Sequence, residues 1–201
     1  MKTTPLSGEP DLLNGPSPEA DRLMPEFIED DITWPMMVKL AGCLCTTLEE
    51  RGLPGTCQCT VVPGPIAVMD ACGACSKSGT ACGGQAWVRL VNEFPSSRFP
   101  QPDTTSAKCG SPMAYVLEVG VARCLPQPPA NGISGMGMVP VEDLVAATRL
   151  QMADKAAMKA AIQCCLDERD SDLTYVLGQY QPMQATGDCG GGTWTVTIWS
   201  M

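Results

Sequence analysis

The sequence predicts an α+β domain: a largely antiparallel sheet of about five strands with two helices packed on one face. The expected order is α-β-β-β-α-β-β, preceded by an extended N-terminal arm. Three observations carry this expectation. Residues 114–124 alternate at strand period, with Tyr115, Leu117, Val119 and Val121 on one face and Val116, Glu118, Ala122 and Cys124 on the other; Gly120 leaves a gap. A strand apolar on one face and mixed on the other suits an antiparallel sheet covered on one side. Amphipathic stretches before and after the first group of strands supply two helices to cover it. The chain then ends on a second alternation, Trp194, Val196 and Ile198 against Thr193, Thr195, Thr197 and Trp199.

Residues 1–33 form the arm. They hold eight acidic and two basic residues, against 14 and 11 in the rest of the chain. Pro5, Pro10, Pro16, Pro18 and Pro25 interrupt any helix. Leu12, Leu13, Leu23, Met24, Phe27 and Ile28 are its apolar residues, and two readings stand: an unstructured tail, or an extended arm laid on a neighbouring subunit. Residues 34–201 are expected to be one domain.

A helix is predicted over 35–51. Thr33 is placed to cap it, Pro35 sits in its first turn, Met37, Leu40, Ala41, Leu44 and Leu48 share one face, and Gly52 stops it. Residues 56–63 read as a short strand, ended by Pro63-Gly64-Pro65, and 66–84 as a Cys/Gly/Ser-rich loop. Residues 85–94 are the second strand, and 95–112 a polar connection into the strand 114–124, expected antiparallel to its predecessor. After a Pro/Gly loop at 126–138, residues 140–166 give the longest helix, opening on Pro140 with Glu142 and Asp143 in its first turn. Val141, Leu144, Val145, Met152, Met158, Ile162 and Leu166 mark its apolar side. The register slips near Asp154, which predicts a bend or a break. A hairpin closes the chain: strands 173–181 and 193–200 joined by 182–192, with Gly190–Gly192 read as turn.

Composition narrows function. The formal net charge is −9, with no cluster of Lys or Arg, and a nucleic-acid binder would need a basic face. The chain has no histidine, which removes the usual general base, the commonest metal ligand and every Ser/His/Asp or Cys/His nucleophile. No enzyme is expected, and no catalytic residue is assigned. No apolar run approaches the roughly 20 residues that cross a membrane, and residues 1–10 carry no secretory apolar core; a cytoplasmic chain with no membrane partner is expected.

The twelve cysteines are the strongest chemical feature. Four readings compete. Cys72-Gly-Ala-Cys75 has zinc-knuckle spacing, but its second pair must come from Cys57, Cys59 or Cys82. A redox CxxC belongs at a helix N-terminus after a strand, whereas this one lies in a loop. Disulfides among Cys57, Cys59, Cys72, Cys75, Cys82, Cys109, Cys124 and Cys189 would tie that loop to its flanking strands, in an oxidising setting. Burial as small hydrophobes is the fourth, and best suits Cys43, Cys45, Cys164 and Cys165 on the helices. No cofactor or metal is assigned; Cys57, Cys59, Cys72, Cys75 and Cys82 are the weak metal alternative.

Several stretches together resemble one family. The first helix with Cys43-Leu-Cys45, then Cys57-Gln-Cys-Thr-Val-Val-Pro-Gly64, Cys82-Gly-Gly-Gln-Ala-Trp-Val-Arg-Leu90, Leu117-Glu-Val-Gly-Val-Ala-Arg-Cys124 and Cys189-Gly-Gly-Gly-Thr-Trp-Thr-Val-Thr197, resembles the neck-region proteins of long-tailed phages infecting actinobacteria. Among them it looks most like the tail terminators, with the head-to-tail connector (stopper) proteins the nearest rival; a small cytosolic zinc module is the alternative outside phage. The resemblance spans roughly residues 35–200. It implies a hexameric ring that caps the head-proximal end of the tail, halts tube growth and joins the tail to the head connector. Its partners would be further copies of itself, the tail tube protein and the connector, with genomic DNA passing through unread. The location implied is the neck of the virion, after assembly in the host cytoplasm. Candidate contact elements are the loops 66–84, 96–112 and 126–138 and the tip 182–192. Trp87, Glu118, Gly120, Arg123 and Trp199 are the candidate contact residues, Glu118 and Arg123 being expected to face solvent or a neighbouring subunit.

Overall fold

A computed structural model of the chain describes residues 32–64, 84–105, 109–127, 138–167, 173–186 and 189–200, all within the unit Asp31–Met201. Residues 1–31 of the arm, most of the loop 66–84 and most of the loop 126–138 lie outside the described residues. The elements are α1 (Thr33–Glu50), β1 (Gln58–Val61), β2 (Gln85–Pro95), β3 (Met113–Cys124), α2 (Val141–Leu166), β4 (Thr174–Thr186) and β5 (Cys189–Ser200). The fold is α+β in the order expected.

The strands form one sheet in the order β1-β2-β3-β5-β4. β1 runs parallel to β2, and every other pairing is antiparallel. β3 is central, and its alternation decides which side is filled. Leu117, Val119 and Val121 join Ala86 and Val88 of β2 and Val196 and Ile198 of β5 in one buried cluster with Leu40 and Leu44 of α1 and Met158 and Ile162 of α2. Both helices therefore cover the same face. Each fully buried Val, Leu, Ile or Met side chain contributes about 1.5–3 kcal/mol.

The ends of α1 show how locally the chain is specified. Thr33 is not the cap. Ile32 holds that position with no side-chain hydrogen bond, and Thr33 is buried as the first helical residue. The C-terminus follows expectation: Gly52 takes φ +64°, its N–H reaches Glu49 O at 2.9 Å, and Leu53 N–H reaches Leu48 O at 3.1 Å. That pair of bonds satisfies two end carbonyls and folds Leu53 back onto the core.

Two further expectations need correction. Gly190–Gly192 are not a turn but part of β5, paired with Val121, Ala122 and Arg123 of β3. The hairpin is correspondingly longer on both strands. Glycine is required there by close approach: a Cβ on Gly191 would lie 2.0 Å from Val121 O, and one on Gly192 2.1 Å from the Tyr180 hydroxyl. The second correction concerns the break: α2 is continuous over its 26 residues. The register slip near Asp154 marks where the helix changes surroundings. Ala157, Met158, Ala161, Ile162, Cys165 and Leu166 are buried, while Val141, Leu144, Val145 and Met152 of the predicted apolar side are exposed.

Candidate functional site

The face of the sheet away from the helices carries the first candidate group. β2 and β3 pair so that Trp87 lies opposite Gly120 and Arg89 opposite Glu118. Trp87 is buried with Ala122 and Cys189. A Cβ on Gly120 would fall 2.2 Å from the indole, so the gap in β3 is the seat of this ring. Glu118 accepts from Trp87 Nε1 at 3.1 Å and from Arg89 Nε and Nη2 at 2.7 and 2.9 Å. The carboxylate is thus held by a forked guanidinium and an indole N–H, the directly opposed charge pair that antiparallel register favours.

The second group is on the helix side. Arg123 continues the core-facing series of β3 and is 2% exposed, and Asp154 is 3% exposed. Arg123 Nε and Nη2 donate to the two Asp154 oxygens at 3.0 and 2.8 Å, and Nη1 donates to Pro54 O. One side chain thereby ties β3 to α2 and to the turn after α1. Nearby, Trp194 Nε1 donates to Lys155 O at 3.1 Å, and Lys155 Nζ sits 5.0 Å over the Tyr180 ring. The expectation that Arg123 faces solvent or another subunit is corrected: it is buried, and a buried charge needs the partner that Asp154 supplies. Glu118 is partly buried on the sheet face away from the helices and is held there by Arg89 and Trp87. Two anomalies of the sequence signalled the second pair: an arginine closing an apolar strand face, and an aspartate at the slip in the helix.

At the other end of the sheet, Trp199 is half-buried, stacks on Phe99 with ring centroids 6.1 Å apart, and donates from Nε1 to Ser96 O at 2.9 Å. The connection after β2 is tied internally. Ser97 N–H and Oγ reach the two Asp103 oxygens at 3.0 and 2.8 Å, and the backbone bond above all holds that carboxyl below its ordinary pKa.

The cysteines are mostly spent on cross-links. Cys43–Cys165 joins α1 to α2 and Cys45–Cys59 joins α1 to β1, with Cα separations of 6.0 and 5.9 Å. Cys57, Cys124 and Cys189 are disulfide-bonded as well. Cys43, Cys45 and Cys165 are therefore not simple core hydrophobes. Cys109, a disulfide candidate, is a free exposed thiol, as is Cys164. Cys57 and Cys59 have no thiolate to offer a metal, which removes them from the zinc alternative; Cys72, Cys75 and Cys82 lie outside the described residues. Among the described residues no group of three or more Cys, Asp or Glu is placed to hold a metal ion. No described helix is long and apolar enough to cross a membrane.

No protein-family model matches the chain, and no curated protein matches it. Among the described residues, the exposed large apolar side chains fall largely in two places: Ile32 just before α1 with Trp34 and Val38 on it, and Met138 just before α2 with Val141, Leu144, Val145 and Met152 on its first half.

One titration is testable here. Tyr175 donates its hydroxyl to Asp167 Oδ1 at 2.7 Å; burial first, and then this bond, push its pKa up to about 12. A folded pKa above the unfolded one contributes stability that is whole below about pH 10 and is lost as pH rises toward about 12. Tyr175→Phe is expected to flatten that alkaline decline, read as melting temperature against pH. Equal slopes for variant and wild type would refute it.

Proposed function

We propose that this chain is a virion structural protein: a ring subunit at the head-proximal end of a phage tail, ending tail-tube growth and joining the tail to the head connector. The observation that carries the reading is where the family-like stretches fall. Residues 117–124 and 189–197 lie on adjacent central strands, 85–90 begins the strand beside them, and 43–45 with 57–64 spans α1 and β1. They coincide with the scaffold rather than with any pocket of convergent polar groups. A purely structural role fits that distribution, because ring contacts use elements and surfaces, not a reactive centre.

The cross-links bear on where such a protein works. Seven of the nine described cysteines are in disulfides, an arrangement that persists in oxidising surroundings. A virion protein meets those surroundings once particles leave the cell.

The test is genetic and microscopic together. Particles made without this protein are expected to carry tails of uncontrolled length, and the purified full chain to form rings in negative stain. Tails of normal length that fail to join heads would assign the connector role instead. Normal particles, or a protein that stays monomeric beside tail tubes, would exclude the neck altogether.

A further inference from the structure

The geometry points to a specific head-to-tail contact between copies of this chain: the projecting first half of α2 of one copy seated along the outer face of α1 of the next. The inference deepens the ring reading above and rests on it.

The projecting half runs from Val141 to Met152 before the first buried residue, Asp154. At about 1.5 Å per residue it is roughly 17 Å long. Val141, Leu144, Val145 and Met152 line it at helical spacing, exposed by 72, 48, 45 and 47%. A contiguous exposed apolar stripe of this kind marks an interaction surface.

The outer face of α1 matches it in length and shape. Trp34, Val38, Gly42 and Thr46 recur every fourth residue, a row of roughly 18 Å, and all four are exposed. Gly42 makes a notch: a Cβ there would meet nothing within 4 Å. The row borders a groove of about 370 Å³ lined by Val38, Gly42, Cys43 and Thr46 of α1 and by Cys164 and Cys165 of α2. Rows of i and i+4 side chains set into such grooves are the commonest packing of helices.

Charge selects the direction. With the two helices parallel and Val145 in the Gly42 notch, Glu142 and Asp143 fall beside Lys39, and Arg149 falls toward Glu49 and Glu50; all are exposed. The antiparallel register instead takes Glu142 and Asp143 away from Lys39 and toward Glu49 and Glu50, about one turn off, and brings Arg149 beside Lys39. The two surfaces are different parts of one chain, so the contact is heterologous and closes into a ring or runs on as a filament.

The test follows the full chain in its oxidised state by sedimentation velocity, with the alkylation rates of the exposed thiols Cys164 and Cys109 as a second readout. Assembly is expected to slow modification of Cys164 at least tenfold and leave Cys109 unchanged. Val145→Glu and Gly42→Glu are each expected to weaken association at least tenfold with unaltered circular dichroism. Lys39→Glu is expected to weaken it several-fold, and adding Asp143→Lys to restore it. Oligomers in which Cys164 stays reactive, or which survive both glutamate variants, would overturn this surface and leave the ring reading standing. Dissociation by Val145→Glu alone would mean that two projecting helices meet each other, which also overturns it. A wild-type chain that stays monomeric at any concentration would sink the ring reading, and this contact with it.

Discussion

Arg123→Met is expected to lower the unfolding free energy by about 3–5 kcal/mol, because it leaves the Asp154 carboxylate buried without its partner. Methionine keeps most of the stem volume, so the loss reads the charge rather than a cavity. Arg123 is 2% exposed and holds both Asp154 oxygens, while its remaining arm reaches the Pro54 carbonyl. For a chain of 201 residues such a loss amounts to roughly 6–20 °C in melting temperature. Arg123→Met combined with Asp154→Leu should recover most of it, since an apolar pair of similar volume replaces a buried ion pair at little cost. Thermal melting of the three variants decides the matter. A single variant that loses under 1 kcal/mol, or a double variant no better than the single, would show that the pair is not what holds β3, α2 and the turn together.

That pair also shows what the sequence does and does not reveal. Alternation in 114–124 and 193–200 exposed the sheet and its filled face, because a one-residue slip would turn every one of those side chains outward. The same period, extended one step past Val121, puts Arg123 on the filled face. Glu118 is different: it lies on the other face, and only the pairing of β2 with β3 brings Arg89 and Trp87 to it. Register between strands joined by a long connection is not written in either strand alone. For the same reason Gly120 announced a close approach but not the indole that makes it. The exposed half of α2 was hidden by its own apolar spacing, which is alike whether the stripe meets the core of its own chain or another surface. Cysteine connectivity was beyond reach, since spacing does not fix pairing.

Removing the Cys43–Cys165 cross-link by alanine at both positions is expected to cost about 5 kcal/mol, and removing Cys45–Cys59 about 3 kcal/mol. The difference comes from the unfolded chain: the first bond closes a separation of 122 residues and the second one of 14, and a longer closed loop restricts the unfolded ensemble more. The two loops overlap in sequence, so the losses should not add when both bonds are removed. Alanine at Cys165, 2% exposed, also leaves a small void beside the core, which deepens the first loss. Denaturant unfolding of the oxidised proteins measures both. Equal stability of the Cys43/Cys165 variant and wild type, or a larger loss for the shorter loop, would refute the ranking. The longer bond matters beyond its size because it fastens α1 to the buried half of α2, and the other half of α2 is the part that projects. Reduction should therefore loosen the platform from which that half extends, and weaken association of copies before the fold itself is lost.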